Sequence, residues 1–150
     1  MINLTRGVPA TESFATEAFI QAFAESLRAD SSVLLQYGKA KGYQPLLESV
    51  AKREGVSSDE IISGNSSLEL LYFVTRSILQ PGDHVLVESP TYDRTLTLLR
   101  RSGMNIGALP LEADGVSLEA FEAELKQNKP RLVYLIADFQ NPTGKVLGAE

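Results

Sequence analysis

Cysteine and tryptophan are absent from this chain of 150 residues, and histidine occurs once. Without cysteine there is no disulfide framework, no thiol nucleophile and no cysteine zinc site. The lone His84 excludes a histidine-rich metal centre and leaves a serine triad without support. It follows Pro81-Gly82-Asp83 and reads as a solvated turn residue at the start of a strand. Long apolar runs are missing too. None approaches the roughly 18 residues of a membrane span, and Met1-Ile-Asn-Leu-Thr-Arg6 lacks the basic-then-apolar plan of a secretion signal. The expected location is the cytoplasm, where the glycosylation patterns at Asn3 and Asn65 have no meaning. Positive charge is scarce and dispersed, 14 basic residues against 19 acidic ones for a net charge of −5, which argues against a nucleic-acid surface.

What is present is an ordinary globular composition, 43% hydrophobic and 22% charged. The length suits one domain able to bury roughly 70% of its unfolded surface. The informative stretch lies near the C-terminus. Leu132-Val-Tyr-Leu-Ile136 is an unbroken apolar run, expected as a strand buried on both faces of a parallel sheet. It leads into Asp138-Phe-Gln-Asn-Pro-Thr-Gly144, where Asn141-Pro142 and Gly144 mark a turn with an amide side chain at its apex. Ligands of open α/β sheets sit outside the carboxyl ends of the strands, so Asn141 stands where a ligand-facing side chain belongs.

Residues 1–12, with Gly7 and Pro9, read as an extended arm. Ala18, Phe19, Ala22, Phe23 and Leu27 recur at helical spacing and predict a helix over 16–28. The stretch 34–43 holds Tyr37, Gly38, Gly42 and Tyr43 and reads as a loop; its spacing excludes a phosphate-binding P-loop. Pro45 suits the first turn of a helix that runs to Gly55. Ser49 and Lys52 within it match a serine–lysine spacing known from penicillin-binding enzymes, but the partner motifs are absent. From Glu60 onward strands and helices alternate, with strands predicted at 61–62, 85–87, 105–109 and 132–136 and helices at 68–79, 91–102 and 117–126. Each gap between strands is long enough for a crossover helix. The expected fold is therefore α/β, a doubly wound, mostly parallel sheet with helices on both faces, preceded by an N-terminal arm and helix.

Three loops then emerge at one sheet edge, after Ile62, Val87 and Ile136. The first, Ser63-Gly-Asn-Ser-Ser67, opens a helix whose unpaired backbone N–H groups and partial positive charge suit a phosphate. Gly64 permits close approach, and the hydroxyls of Ser66 and Ser67 add donors. Ser66 with Glu69 also matches a capping box, a structural role compatible with the first. No Gly-x-Gly-x-x-Gly is present, so a single terminal phosphate fits better than a dinucleotide. The second loop, Glu88-Ser-Pro-Thr-Tyr92, brings an aromatic ring that either joins the core or stacks on a flat ligand. The third supplies the Asn141 amide as a donor. Together they describe a site for a small, planar, phosphorylated heterocycle.

Tyr37-Gly38, Gly42-Tyr-Gln-Pro-Leu46, Ser63-Gly64 at a helix start, Pro81-Gly-Asp83, Glu88-Ser-Pro-Thr-Tyr92 and Asn141-Pro-Thr-Gly144 occur in that order. The series resembles the class I/II aminotransferases, fold-type I enzymes dependent on pyridoxal 5′-phosphate, over essentially the whole chain. It is most similar to the branch of α-aminoadipate/kynurenine-type aminotransferases and aminotransferase-like domains of bacterial regulators. The resemblance implies Asn65, Ser66 and Ser67 at the cofactor phosphate, Tyr92 stacked on the pyridine ring, and Asn141 donating to the phenolate oxygen near the substrate carboxylate. It implies Tyr37 reaching the partner's cofactor phosphate in a homodimer, Gly7 lining the substrate pocket, and a cis bond at Asn141–Pro142. Residues 1–43 would be a substrate- and dimer-contact segment, and 44–150 the first part of the cofactor-binding large domain. Two features depart from the branch: Asn65-Ser66-Ser67 stands where glutamines are usual, and Ala137-Asp138 where a proline is commoner.

No catalytic residue is expected within the chain. The resemblance places the Schiff-base lysine, the acid facing the pyridine nitrogen and the arginine gripping the α-carboxylate beyond Glu150. Lys145, the lysine nearest the turn, is expected to face solvent. The chain is accordingly expected to be the N-terminal part of a longer enzyme, inactive alone and prone to self-association through an unfinished sheet. The implied activity is transfer of an amino group between an amino acid and a 2-oxo acid. Two alternatives share the fold: the effector-binding domain of a transcription regulator, and a pyridoxal-phosphate-dependent carbon–sulfur lyase.

Overall fold

The helical spacing that begins at Thr16 continues further than its apolar pattern, and α1 spans Thr16–Leu34 in the computed structural model, which describes residues 8–148. The regular helix ends near the expected place all the same: Asp30 leaves helical geometry (φ −147°, ψ 40°). Asp30-Ser31-Ser32 carries side chains that compete for backbone hydrogen bonds, which favours a break here. The Tyr43 hydroxyl donates to Asp30 Oδ2 at 2.9 Å, and that bond raises the phenol above its ordinary 10.0. α2 (Gln44–Glu54) starts with Pro45 in its first turn and ends at Gly55, whose φ of 71° provides the left-handed cap.

A short 3-10 turn, Ser58–Glu60, follows, closed by a reciprocal capping box between Ser57 and Glu60. The loop before α2 is tied to it: Lys41 Nζ donates to the Asp59 carbonyl at 3.0 Å and the Ser63 N–H to the Lys41 carbonyl at 2.8 Å. Gly42 is required at this crossing, since its φ is 121° and an added Cβ would lie 2.0 Å from Ser63 Oγ. The predicted strand at 61–62 does not form. Ile61 is extended (φ −113°, ψ 139°), but a strand exists only through a ladder, and no described strand pairs with this stretch. By its contacts the chain divides into two compact units between Ser63 and Gly64.

In the second unit α3 (Ser67–Ile78) leads through the Pro81-Gly82-Asp83 turn into β1 (His84–Ser89). α4 (Asp93–Arg101), β2 (Asn105–Pro110), α5 (Leu118–Asn128) and β3 (Leu132–Tyr134) follow. The sheet is parallel, in the order β2-β1-β3, with Val85 level with Ile106 on one side and Leu132 on the other. Val85 and Val87 share a face with Ile106, Leu132 and Tyr134 and pack against Leu79, Leu96, Leu99 and Met104, so α4 and the end of α3 cover that side. The opposite face belongs to α5, where the Glu124 carboxylate meets His84 Nε2 at 3.0 Å. Helices thus lie on both faces of a parallel sheet, as the repeated βα units predict.

Two expectations need correction. His84 is no solvated turn residue: it is the first residue of β1, half-buried and paired with Glu124. The last strand covers only Leu132–Tyr134 and is only partly buried, because it occupies a sheet edge while β1 takes the fully covered centre. Among the described residues no helix is long and apolar enough to cross a membrane.

Candidate functional site

The end of the sheet at which loops gather is set by lengths. α3 has 12 residues and β1 has 6, spanning roughly 18 Å and 20 Å respectively. After the Pro81-Gly82-Asp83 turn the strand therefore returns to the level of the helix start. Leu68 and Tyr72 of α3 line a cleft with Arg94, Thr97 and Leu98 of α4, which itself begins just past the end of β1. The start of α3 and the loop carrying Tyr92 consequently open toward one end.

Ser66 caps α3, its Oγ accepting the Glu69 N–H at 3.1 Å. The return half of the expected capping box is missing. Instead the Glu69 carboxylate accepts the Asn65 backbone N–H at 2.7 Å and the Asn65 side-chain amide at 3.3 Å from both oxygens. Gly64 makes this possible: a Cβ there would meet Leu70 Cδ2 at 2.7 Å and Glu69 Oε2 at 3.2 Å. The room over Gly64 is thus filled by the helix's own side chains. Asn65, Ser66 and Ser67 remain exposed, and the N–H groups of Ser66 and Ser67 meet no protein acceptor among the described residues.

The other two loops are joined by a buried polar cluster. Glu88, 5% exposed, ends an otherwise apolar run and has no cationic partner among the described residues. Its Oε1 accepts the Ile136 N–H at 3.1 Å and its Oε2 the Gln140 Nε2–H at 3.1 Å. Gln140, 2% exposed, also donates to the Pro90 carbonyl at 2.8 Å. Its Oε1 accepts the Thr143 N–H at 3.0 Å and the Thr143 hydroxyl at 2.7 Å. Phe139 takes φ 51° and stands 80% exposed as the chain turns Gln140 inward. Ser89–Pro90 and Asn141–Pro142 are both cis.

Within this frame Asn141 is exposed, and its amide has no protein partner among the described residues. Tyr92 is half-buried at the N-cap of α4 and makes no cap hydrogen bond. Tyr37 belongs to the first unit and is fully exposed (101%), on the wall of a cavity of about 570 Å³ shared with Tyr43 and Pro45. Gly7 lies outside the described residues. Lys145 turns away from the Asn141 apex: its Nζ donates to the Glu112 carbonyl. Lys126 and Lys129 sit at the C-terminal end of α5, toward the far end of the sheet.

Sequence reasoning passed over Gln140 and gave Glu88 no role of its own. A carboxylate closing the apolar Val85-Leu-Val87 run was the available signal, because a buried charge demands donors. Left open are two N–H groups at a helix start, the Ser66 and Ser67 hydroxyls, the Asn141 amide and the Tyr92 ring; N–H and hydroxyl groups of this kind suit an anion, and an exposed ring face suits a flat group.

The family model described as aminotransferase class I and II matches residues 1–150. A 2-aminoadipate transaminase of Thermus thermophilus is 37% identical over 144 residues, which are 96% of this chain and 36% of that protein. YisV of Bacillus subtilis, an uncharacterized HTH-type transcriptional regulator, is 31% identical over 121 residues, 77% of this chain and 25% of that protein. Among solved structures, the α-aminoadipate aminotransferase LysN of Thermus thermophilus, complexed with N-(5′-phosphopyridoxyl)-L-leucine, matches with a TM-score of 0.87. It is 37% identical, and the match covers 95% of this chain and 37% of that chain. This chain therefore spans little more than a third of the length of the transaminase it matches.

Proposed function

Since this chain belongs to the aminotransferase class I and II family, we propose that it carries the phosphate, ring and phenolate contacts of a pyridoxal 5′-phosphate-dependent aminotransferase. That enzyme would move an amino group between an amino acid and a 2-oxo acid in the cytoplasm. One observation carries the reading. Gln140 satisfies every hydrogen-bonding site of its amide inside the fold, while its neighbour Asn141 presents a free amide at the surface of the same turn.

In this reading the start of α3 holds the phosphate. Ser66 and Ser67 offer backbone N–H groups, and the Ser66 hydroxyl hydrogen stays available because its oxygen is the acceptor for Glu69. A negative group here also gains about 0.3–1 kcal/mol from the helix dipole. Asn65 contributes only when Glu69 releases it. Tyr92 would stack on the pyridine ring, and Asn141 would donate to the phenolate oxygen near the substrate carboxylate. Tyr37 would reach the cofactor phosphate of a second copy in a homodimer. Segment 1–43 serves substrate and dimer contacts, and 44–150 begins the large domain. When bound, pyridoxal phosphate supplies an electron sink for the substrate α-carbon. The chain's own residues would bind and orient the cofactor.

The test is a titration of the full chain with pyridoxal phosphate followed by induced circular dichroism, with inorganic phosphate as competitor. Saturable binding, displaced by phosphate and weakened about tenfold by Asn141→Ala or Tyr92→Ala, is the expected result. Binding that does not saturate, or that ignores phosphate, would refute the reading. The likeness to the Bacillus subtilis regulator favours a second reading, an effector-binding domain. Glutamate formed from 2-oxoglutarate by the complete protein selects the enzyme; cofactor binding with no turnover selects the regulator.

A further inference from the structure

Asn141 and Tyr92 can serve one ligand only if their loops are held in register, and among the described residues the buried pair of Glu88 and Gln140 connects those loops. We propose that Glu88 and Gln140 are positioning residues, a clamp that fixes the Asn141 turn against the end of β1 and so sets the strength of cofactor binding. The cofactor half of this inference rests on the reading above; the clamp itself does not.

Each partner has the chemistry the other needs. Both contacts of Glu88 come from donors, the Ile136 N–H and the Gln140 amide, so a side chain that only accepts is required. An amide at position 88 would turn an NH₂ group toward one of these donors. Gln140 needs two donors, for Glu88 and the Pro90 carbonyl, and an oxygen with two lone pairs for the Thr143 N–H and hydroxyl. Only a primary amide offers both. Its backbone is fixed as well, the N–H donating to the Lys145 carbonyl at 2.7 Å and the carbonyl accepting from Gly144 N–H. Asn141 thus stands between two pinned residues, Gln140 and Thr143. The same amide holds the Pro90 carbonyl, in the loop that presents Tyr92.

The test uses near-isosteric variants of the full chain: Glu88→Gln, Gln140→Glu and the two combined. Amide exchange at Thr143 and Gly144 is read without cofactor, and pyridoxal-phosphate affinity is read in parallel. Each single variant should speed exchange at both amides, and weaken the cofactor, by about tenfold or more. Exchange at Val85 to Val87 should stay slow. The double variant should recover part of both losses, because the new amide at position 88 can donate to the new carboxylate at 140. A role in packing alone predicts no such recovery, since all the side chains have similar volume. Unchanged exchange in the singles, or losses that add in the double, would overturn the clamp. Faster exchange with unaltered affinity would overturn the positioning role. A wild-type chain that fails to bind the cofactor would remove the functional reading, and exchange would still decide the clamp. Thr143→Val removes one bond at the exposed side of the turn and repeats the test should a buried variant not fold.

Discussion

Replacing Glu69 by glutamine should tighten phosphate binding at the start of α3. The carboxylate accepts the Asn65 N–H at 2.7 Å and the Asn65 amide at 3.3 Å, so a negative charge already occupies donors that a phosphate would use. Glutamine keeps the shape and one accepting oxygen but removes the charge. Two unit charges about 4 Å apart in water repel by about 1 kcal/mol. A phosphate monoester carries about −1.5 to −2, so the repulsion removed is roughly 1.5–2 kcal/mol, or roughly ten- to thirtyfold in affinity. The helix itself loses about 0.3–1 kcal/mol with its first-turn acid. The variant should therefore be slightly less stable and yet bind more tightly. Calorimetric titration with inorganic phosphate and with pyridoxal phosphate, at low and high salt, measures this. The screening length falls from about 10 Å at 0.1 M to about 3 Å at 1 M, so the gain should shrink as salt rises. Unchanged or weaker binding at low salt, or a gain indifferent to salt, would refute the argument that Glu69 stands in for the ligand.

Other outcomes follow from the core and the sheet. Leu99→Ala, at a fully buried position against Val85 and Val87, should cost about 2–5 kcal/mol in urea denaturation; a loss under about 1 kcal/mol would mean that this cluster is loosely packed. Gly107→Ala would set a methyl group 2.6 Å from Leu86 Cδ2 and 2.8 Å from His84 Nε2, an overpacking expected to cost about 1–3 kcal/mol and readable as a lower midpoint in the same experiment. The Asn128 amide, and after it His84, hold the Glu124 carboxyl below its ordinary 4.5. A depressed folded pKa gives stability that is complete above the unfolded value and lost as pH falls through the folded one. Glu124→Gln should therefore flatten the fall in stability below about pH 4.5, and an acid titration by circular dichroism that matches wild type would exclude the linkage.

Local chemistry made much of the fold readable. Pro45 and Gly55 bracket α2 where turn and cap preferences put them, and Ser66 and Ser117 cap α3 and α5. The run 85–87 reads as a strand and lies within β1, which takes the covered centre of the sheet that the sequence suggested for 132–136. What failed depends on distant partners. Ile61-Ile62 has the composition of a strand but meets no pairing strand among the described residues, and the run 132–136 keeps only three strand residues at the edge of the described sheet. His84 looked like turn punctuation because its partner, Glu124, lies on α5. The site divides the same way. Asn141 and Tyr92 stand out by their motifs, whereas Gln140 matters through Glu88, 52 positions away in the chain. The grip of Glu69 on Asn65 shows only once the turn at Gly64 is folded.

The strand order carries a consequence for synthesis. β1 is the central strand, yet it precedes both of its neighbours in the chain. A growing polypeptide therefore exposes the most apolar strand first, with both hydrogen-bonding edges bare. β2 arrives after a single helix and closes one edge early, while the other waits for α5 and β3. During that interval Val85-Leu-Val87 is a template for any extended segment nearby, including the same segment of another nascent chain. Slowing translation between β2 and β3 would prolong that exposure.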